Sequence, residues 1–522
     1  MYAGVRKDSH GGGAEVRRGR EFEGEAPKRG ALEKRGAASS APTGAGGAGN
    51  ETVKIHQFTM RSEIGAPAAD VFAWLSRPGA FERLAPPWEP VRTLERTGKA
   101  PEPGSRTVFQ VRVGPFWRRW VAEHTSFEPG RMFRDEQISG PFARWVHTHT
   151  VEPMGQYSCA LQDDIEFAMP LGVLGSAFGA GYVRRRMASG FAYRHRIPAQ
   201  DVDAHRRWSG QPQRVLVSGA SGLVGRALVA YLSAGGHTPV RLVRTAAAAA
   251  PDPGLPTAAV VWDAAGGGAA PVAELEGFDA VVHLAGDNIS GGRWTSRRKA
   301  SISRSRVAGT TALAEALARL KRPPRTLVAA SAIGYYGNRG EENLVESSPR
   351  GRGFLADVCS AWEAAATAAR VAGIRVVHLR IGVVLSPLGG ALGKMLTPFR
   401  MGAGGVVGDG RQWMSWIALD DLLDVMLHAL ADTSLAGPIN AVAPHPVTNE
   451  EWTRILGNVL RRPTLMPLPA TAARVALGEM ADELLLASTR VIPERLLAAR
   501  HPFRFVEVEP ALRQMLGRVA GG

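Results

Sequence analysis

Three glycines spaced three apart, Gly219, Gly222 and Gly225, punctuate the stretch RVLVSGASGLVGRALVAYLSAGGHTPVRLVRT, between an apolar run and an amphipathic one. These residues at this spacing suit a chain that turns tightly after a strand, lets its backbone approach a pyrophosphate and then packs a helix closely on a sheet. The helix N-terminus, with its unpaired N–H groups, faces the phosphates. Ser221, Leu223 and Val224 complete the turn and open that helix. Units that hold the ribose 2'-hydroxyl of NAD end the second strand in Asp or Glu; this one ends in Arg244 followed by Thr245, which suits a 2'-phosphate and therefore NADP.

Such a turn needs a sheet to present it. AAVVWD to Asp263, DAVVHLAG to Gly286, RTLVAASAIGYYG and IRVVHLRIGVVL are continuous apolar runs, separated by helical patterns at SRVAGTTALAEALARL and at Ala356 to Ala372. Apolar strands alternating with helices predict an α/β domain over residues 214–435, a Rossmann-like doubly wound parallel sheet with its ligand at the carboxyl ends of the strands. A small C-terminal lobe is expected over 436–518.

GASGLVG, HLAG at His283 to Gly286, RWTSRRK at Arg293 to Lys299, SRVAGTTAL at Ser305 to Leu313, SAIGYYG at Ser331 to Gly337, LRIGVVLSPLGGALGKML from Leu379 and INAVAPHPVTNEEW from Ile439 together resemble the extended short-chain dehydrogenase/reductase superfamily. More narrowly they resemble its atypical NADP-binding epimerase-family branch, in which a START-like domain is sometimes fused N-terminally. The resemblance implies that the glycine turn and Arg244 hold NADP and that His283, Leu284, Ala285 and Gly286 lie beside its riboses. It further implies that Arg306 stands near the cofactor, that Val383 flanks the nicotinamide end and that the C-terminal lobe closes over a small-molecule substrate. Ordinary members pair a serine with Tyr-x-x-x-Lys, in which the lysine lowers the tyrosine pKa and the tyrosine exchanges a proton as hydride moves. Ser331 suits the serine, but Leu355 and Cys359 stand at the tyrosine and lysine positions, so the usual pair is missing. Tyr335, or its neighbour Tyr336, is a candidate replacement acid or an aromatic packing group, and Cys359 a titrating thiol or a small apolar filler. Two readings follow: an NADP-dependent oxidoreductase or epimerase-like enzyme, or a catalytically impaired NADP(H)-sensing ligand carrier.

Upstream, VKIHQFTMRSEI alternates like a strand, and a helical pattern opens at Pro67 and ends at Pro78. Alternating stretches at Arg106 to Val113, Phe116 to Glu128, Met132 to Ile138, Ala143 to Val151 and Ser158 to Phe167 predict an antiparallel meander, closed by a helix over Leu174 to Tyr193. This order resembles the α+β helix-grip fold of START-like, polyketide-cyclase-like (SRPBCC) carriers over residues 54–197, which implies an apolar ligand. His124, His147 and His149 fall on strand patterns and are read as structural, with no metal site expected. The polar, Pro/Gly-punctuated residues 198–213 read as a linker.

Residues 1–50 hold 12 glycines without hydrophobic periodicity and are expected to be a disordered tail. The formal charge of +15 raises nucleic acid as a partner, but no recognition motif accompanies it, and none is expected. Cys159 and Cys359 are too far apart in sequence, and too few, for a disulfide framework or a cysteine zinc site. The longest uncharged apolar stretch, Ala168 to Val183, falls short of the roughly 20 residues a spanning helix needs. With no secretory pattern evident, a cytoplasmic protein without a transmembrane segment is expected, its homo-oligomeric state left open.

Overall fold

The computed structural model describes residues 54–170, 172–208, 210–254 and 257–518, so the tail over 1–50 lies outside the described residues. β1 (Ile55–Ile64) is followed by two helices, α1 (Ala68–Ser76) and α2 (Ala80–Leu84). α1 stops at Arg77, whose extended backbone (φ −87°, ψ 155°) is what the following proline imposes. Six further strands, β2 (Arg92–Thr97), β3 (Arg106–Val113), β4 (Phe116–Glu128), β5 (Met132–Ser139), β6 (Arg144–Pro153) and β7 (Cys159–Ala168), join β1 in an antiparallel sheet of order β1-β7-β6-β5-β4-β3-β2. β2 escaped the sequence reading because it is a mostly polar edge strand, RTLERT, which needs little burial to pair.

The helix that roofs this sheet is longer than its pattern suggested. α3 runs from Gly172 to Trp208 with Pro198 inside it, so the linker expected over 198–213 is mostly helix. Its polar composition misled because one of its charges is buried and paired: Asp201 is fully buried alongside Ile197, Val202 and Ala204, while Asp203, Arg206 and Arg207 stay exposed. Side chains that looked solvated hold this helix against its neighbours.

The second half alternates as expected: β8 (Arg214–Ser218), α4 (Leu223–Ala234), β9 (Thr238–Val243), α5 (Ala246–Ala249), β10 (Ala259–Val261), α6 (Val272–Leu275), β11 (Ala280–His283), α7 (Ser296–Ala318) and β12 (Thr326–Ala332). After the short β13 (Asn343–Leu344) come α8 (Phe354–Ala364), α9 (Thr367–Val371), β14 (Arg375–Ile381), β15 (Val383–Ser386), α10 (Gly390–Arg400), β16 (Trp413–Met414), β17 (Trp416–Ala418), α11 (Leu419–Ala431) and β18 (Gly437–Ala441). The main sheet is parallel, of order β10-β9-β8-β11-β12-β14-β18. One face packs on α4 and α11 through Leu228, Val229, Leu422 and Met426; the other packs on α7 through Leu313 and Leu317. Because Gly437–Ala441 is the edge strand of this sheet, the C-terminal lobe begins after it rather than at 436. Among the described residues no helix is long and apolar enough to cross a membrane.

The two halves meet through buried charge. Arg83 on α2 grips both carboxylate oxygens of Asp201 at 2.8 Å and reaches Asp420 at 2.7 Å. Arg504 donates to Asp201 at 3.0 Å and to Asp424 on α11 at 2.5 and 2.7 Å, while Tyr231 of α4 donates to Asp424 at 2.7 Å. At the end of α3, Trp208 stacks on His428 with ring centroids 3.7 Å apart.

Candidate functional site

The turn after β8 admits no side chain at two places. Gly219 has φ +69°, and a Cβ on it would lie 2.8 Å from the carbonyl carbon of Leu284. A Cβ on Gly225 would lie 2.2 Å from the carbonyl oxygen of Gly219, so α4 is pressed onto the turn it follows. Gly222 caps α4 without a side-chain hydrogen bond, and no acidic residue stands in the first turn of the helix. The first N–H groups of α4 and the positive end of its dipole are thereby left for an anion. This cradle fits a dinucleotide pyrophosphate.

Around it the sequence-predicted residues divide by role. Arg244 is exposed beyond the end of β9 and makes no ion pair or hydrogen bond among the described residues. Thr245 Oγ1 is engaged in capping α5, accepting from the Ala248 N–H at 3.3 Å. Arg241 is buried and donates to the carbonyls of Ala248, Ala249, Ala250 and Thr257, so it shapes the loop and leaves Arg244 as the free cation.

The His283 side chain points inward. It is buried between Ser218 Oγ (2.7 Å from Nδ1) and Thr310 Oγ1 (3.0 Å from Nε2). Ser218 Oγ already accepts the N–H groups of Leu284 and Ala285 at 3.1 and 3.3 Å, so its own proton goes to Nδ1 and the imidazole carries its hydrogen on Nε2. Burial pushes this histidine down to about 4, which keeps it neutral. It ties the ends of β8 and β11 to α7, while the backbone of Leu284 and Ala285 lies against the glycine turn at Gly219. Arg306 packs against Gly286 and lies 5.0 Å from the Trp362 ring, its guanidinium donating to the carbonyls of Asp287 (3.0 Å) and Ile302 (3.3 Å). Ser221 is exposed in the turn, Leu223 and Val224 start α4, and Val383 starts β15 with its N–H donated to Ser415 at 2.9 Å.

The catalytic candidates gather around a cluster that sequence reasoning missed. Ser331 donates to Glu363 at 2.8 Å, and Arg380 grips the same carboxylate with two bonds of 2.8 and 2.9 Å. Arg380 also donates to the Tyr336 hydroxyl at 3.0 Å, and its guanidinium lies 3.5 Å from the centre of the Tyr335 ring. Tyr336 is fully buried and donates to Asn440 at 2.7 Å, whereas Tyr335 is half-buried. Leu355 is buried with Trp294, Ile302 and Met480, filling the place of the usual tyrosine with apolar contact. Cys359 is buried too, and burial, reinforced by the Glu363 carboxylate, pushes its thiol up to about 12. A protonated thiol is neither a base nor a nucleophile. The cations near this thiol are Arg306, supplied from α7, and Arg380 of β14, and neither comes from the lysine position on α8. A charged Arg380 within the apolar run VVHLRIG was the signal available in the sequence.

In the C-terminal lobe, Glu483 accepts the N–H groups of Phe354 and Leu355 at 3.0 and 3.1 Å, capping α8, and Glu479 pairs with Lys299 at 2.6 Å. Both tie this lobe to α7 and α8 of the parallel-sheet domain.

Three family models match this chain. Residues 215–441 match the NAD dependent epimerase/dehydratase family, 64–192 the family of polyketide cyclase / dehydrase and lipid transport, and 468–515 a domain of unknown function. An epimerase family protein of Mycobacterium bovis is 43% identical over 298 residues, 57% of this chain and 96% of that protein. One from Homo sapiens is 36% identical over 310 residues, 58% of this chain and 99% of that protein. Among solved structures, a nucleoside-diphosphate sugar epimerase from Corynebacterium glutamicum matches with a TM-score of 0.71 at 34% identity, over 88% of this chain and 90% of that one. A human epimerase family protein crystallised with NADPH matches with a TM-score of 0.52 at 34% identity, over 59% of this chain and 100% of that one.

Proposed function

Because this chain belongs to the epimerase family, we propose that its parallel-sheet domain binds NADP(H) and serves an oxidoreductase or epimerase-like reaction on a small molecule, beside an N-terminal domain that takes an apolar ligand. The observation that carries this reading is the glycine turn pressed on the bare N-terminus of α4, with the unpaired Arg244 guanidinium beyond β9. The human relative crystallised with NADPH supports the choice of nicotinamide.

NADP(H), when bound, supplies the hydride chemistry. The chain's own residues then have separable tasks. The α4 N-terminus neutralises the pyrophosphate, and Arg244 takes the 2'-phosphate by charge-assisted bonds. Reduction of a carbonyl also requires a proton at its oxygen. Ser331 has committed its proton to Glu363, and Cys359 holds its own too tightly to exchange it near neutral pH. Tyr335, whose hydroxyl makes no hydrogen bond among the described residues, is assigned as the donor, with Arg380 against its ring to hold it in place. The two free, buried cysteines support a reducing compartment such as the cytoplasm.

The test is titration with NADPH and NADH, followed by NADPH oxidation across a panel of apolar carbonyl compounds, for wild type and Tyr335→Phe. Tight NADPH binding with turnover that Tyr335→Phe lowers by 10-fold or more is expected. Failure to bind either cofactor overturns the reading. The apolar Leu355 and protonated Cys359 at the relay positions favour a second reading, an NADP(H)-sensing ligand carrier. Binding without turnover, together with ligand affinity that changes on addition of NADPH, would select it.

A further inference from the structure

The interior of the helix-grip domain holds a group of residues that its carrier fold does not call for. β6 presents His147 and His149 two apart, hence on one face. Register places Asp135 of β5 directly opposite His147, and Asp163 of β7 directly opposite His149. His195 comes down from α3 to face Asp163 Oδ2 at 3.0 Å, with Ser62 2.9 Å behind it. Around them the wall is apolar and aromatic: Phe133, Trp145, Ile165 and Phe191. His147, His149, Asp163 and His195 are all at least nine-tenths buried. Polar groups in such surroundings are costly unless each is satisfied, and here they are not. His147 Nε2 and Asp163 Oδ1 lie 3.3 Å apart without forming a well-aligned hydrogen bond, and Asp163 Oδ1 has only the His149 Nδ1 at 2.6 Å beside it.

We infer that Asp135, His147 and His149 form a binding site for one divalent first-row transition cation of the zinc or iron(II) class. One ligand atom from each lies within 4.8 Å of the others. Asp135 Oδ1 is 3.5 Å from His147 Nδ1 and 3.9 Å from His149 Nε2. Donors bound at about 2.0–2.2 Å to one cation in tetrahedral or octahedral arrangement stand roughly 3 to 3.5 Å apart, so Asp135 is near that spacing from both imidazoles and the three side chains close on a cation by drawing inward. Two imidazoles with one carboxylate are a borderline donor set that selects such metals over calcium or magnesium. Asp163 then plays the outer role. It lies 3.3 Å from the opposite nitrogen of His147 and 2.6 Å from that of His149, where a carboxylate orients ligating rings. Two carboxylates and neutral imidazoles carry −2, which one divalent cation cancels. Asp135 is the partly exposed member, its side chain 19% accessible, and gives the site its entrance and an open coordination position. His124, opposite Asp135 on β4, is held away by Ser105 Oγ at 3.1 Å and is not a ligand.

The experiment uses the full chain without an affinity tag, stripped with a chelator and dialysed against Zn²⁺ or Co²⁺. Expected are one equivalent per chain by mass spectrometry, visible Co²⁺ ligand-field bands, and nitrogen scattering from two histidines in X-ray absorption. Asp135→Asn and His149→Gln should weaken binding by 10-fold or more, and Asp163→Asn by about 10- to 100-fold, with near-UV circular dichroism and NADPH affinity unchanged as evidence of folding. Substoichiometric binding, absorption spectra without histidine ligation, or variants that bind as wild type would overturn the inference. Should a variant not fold, the wild-type Co²⁺ and absorption spectra decide alone.

Discussion

Arg244 and Arg241 are three residues apart and chemically identical, yet one is spent on four loop carbonyls and the other is free. Arg244→Glu should therefore weaken NADPH binding about 10- to 100-fold, the loss of one or two charge-assisted bonds of ~1.5–3 kcal/mol, and leave NADH binding nearly unchanged. Fluorescence titration with both nucleotides checks this. Cys359 supports the opposite kind of expectation. With its thiol pushed up to about 12, the native protein should resist iodoacetamide at pH 8 at this position, and Cys359→Ala should keep NADPH affinity within about two-fold. Peptide mass spectrometry before and after denaturation reads the first, titration the second. The geometry of the glycine turn and the placement of Arg244 just past a strand were legible in the sequence because both depend on local backbone. Ser331, Glu363 and Arg380 were not legible as a unit, since three different elements bring them together, and Glu363 is 32 residues from its serine and 17 from its arginine.

At the scale of elements, α3 is the part whose role composition concealed. Alternation revealed six of the seven strands of the first sheet because each buries one face, but the end of α3 buries charge, and charge reads as linker. Asp201 is fully buried between two arginines that have no water to turn to. Asp201→Ala should cost about 3–5 kcal/mol, the penalty of stranding buried cations, seen as a lower urea midpoint monitored by circular dichroism. A conserved midpoint would mean that Arg83 and Arg504 are satisfied by Asp420 and Asp424 alone. In α4 the tie is steric: Gly225→Ala places a methyl 2.2 Å from a backbone oxygen, and should abolish NADPH binding while the first sheet keeps its circular dichroism signature.

For the whole molecule, acid is the telling variable. Burial holds His205, His237, His283 and His501 at about 3, 4, 4 and 3. Each is neutral when folded and protonates near 6.5 when unfolded, so the unfolded chain binds more protons between those values. Stability is then full above about pH 6.5 and falls as pH drops toward 4. Asp421 and Asp424, pushed up by burial, oppose this in part, so the net loss is smaller than four separate histidine contributions. Urea unfolding at pH 7.5, 6 and 4.5 should show the decline, and His283→Gln should flatten it. The long roof helix adds a mechanical consequence. At about 1.5 Å per residue, α3 is a rod of roughly 55 Å, with one end over the antiparallel sheet and the other pinned by Asp201 and Trp208 to the nicotinamide half. A ligand that moved the roof would also move Asp201 and, through Arg504, would pull on Asp424 of α11, which follows β17, the strand paired with Val383 of β15.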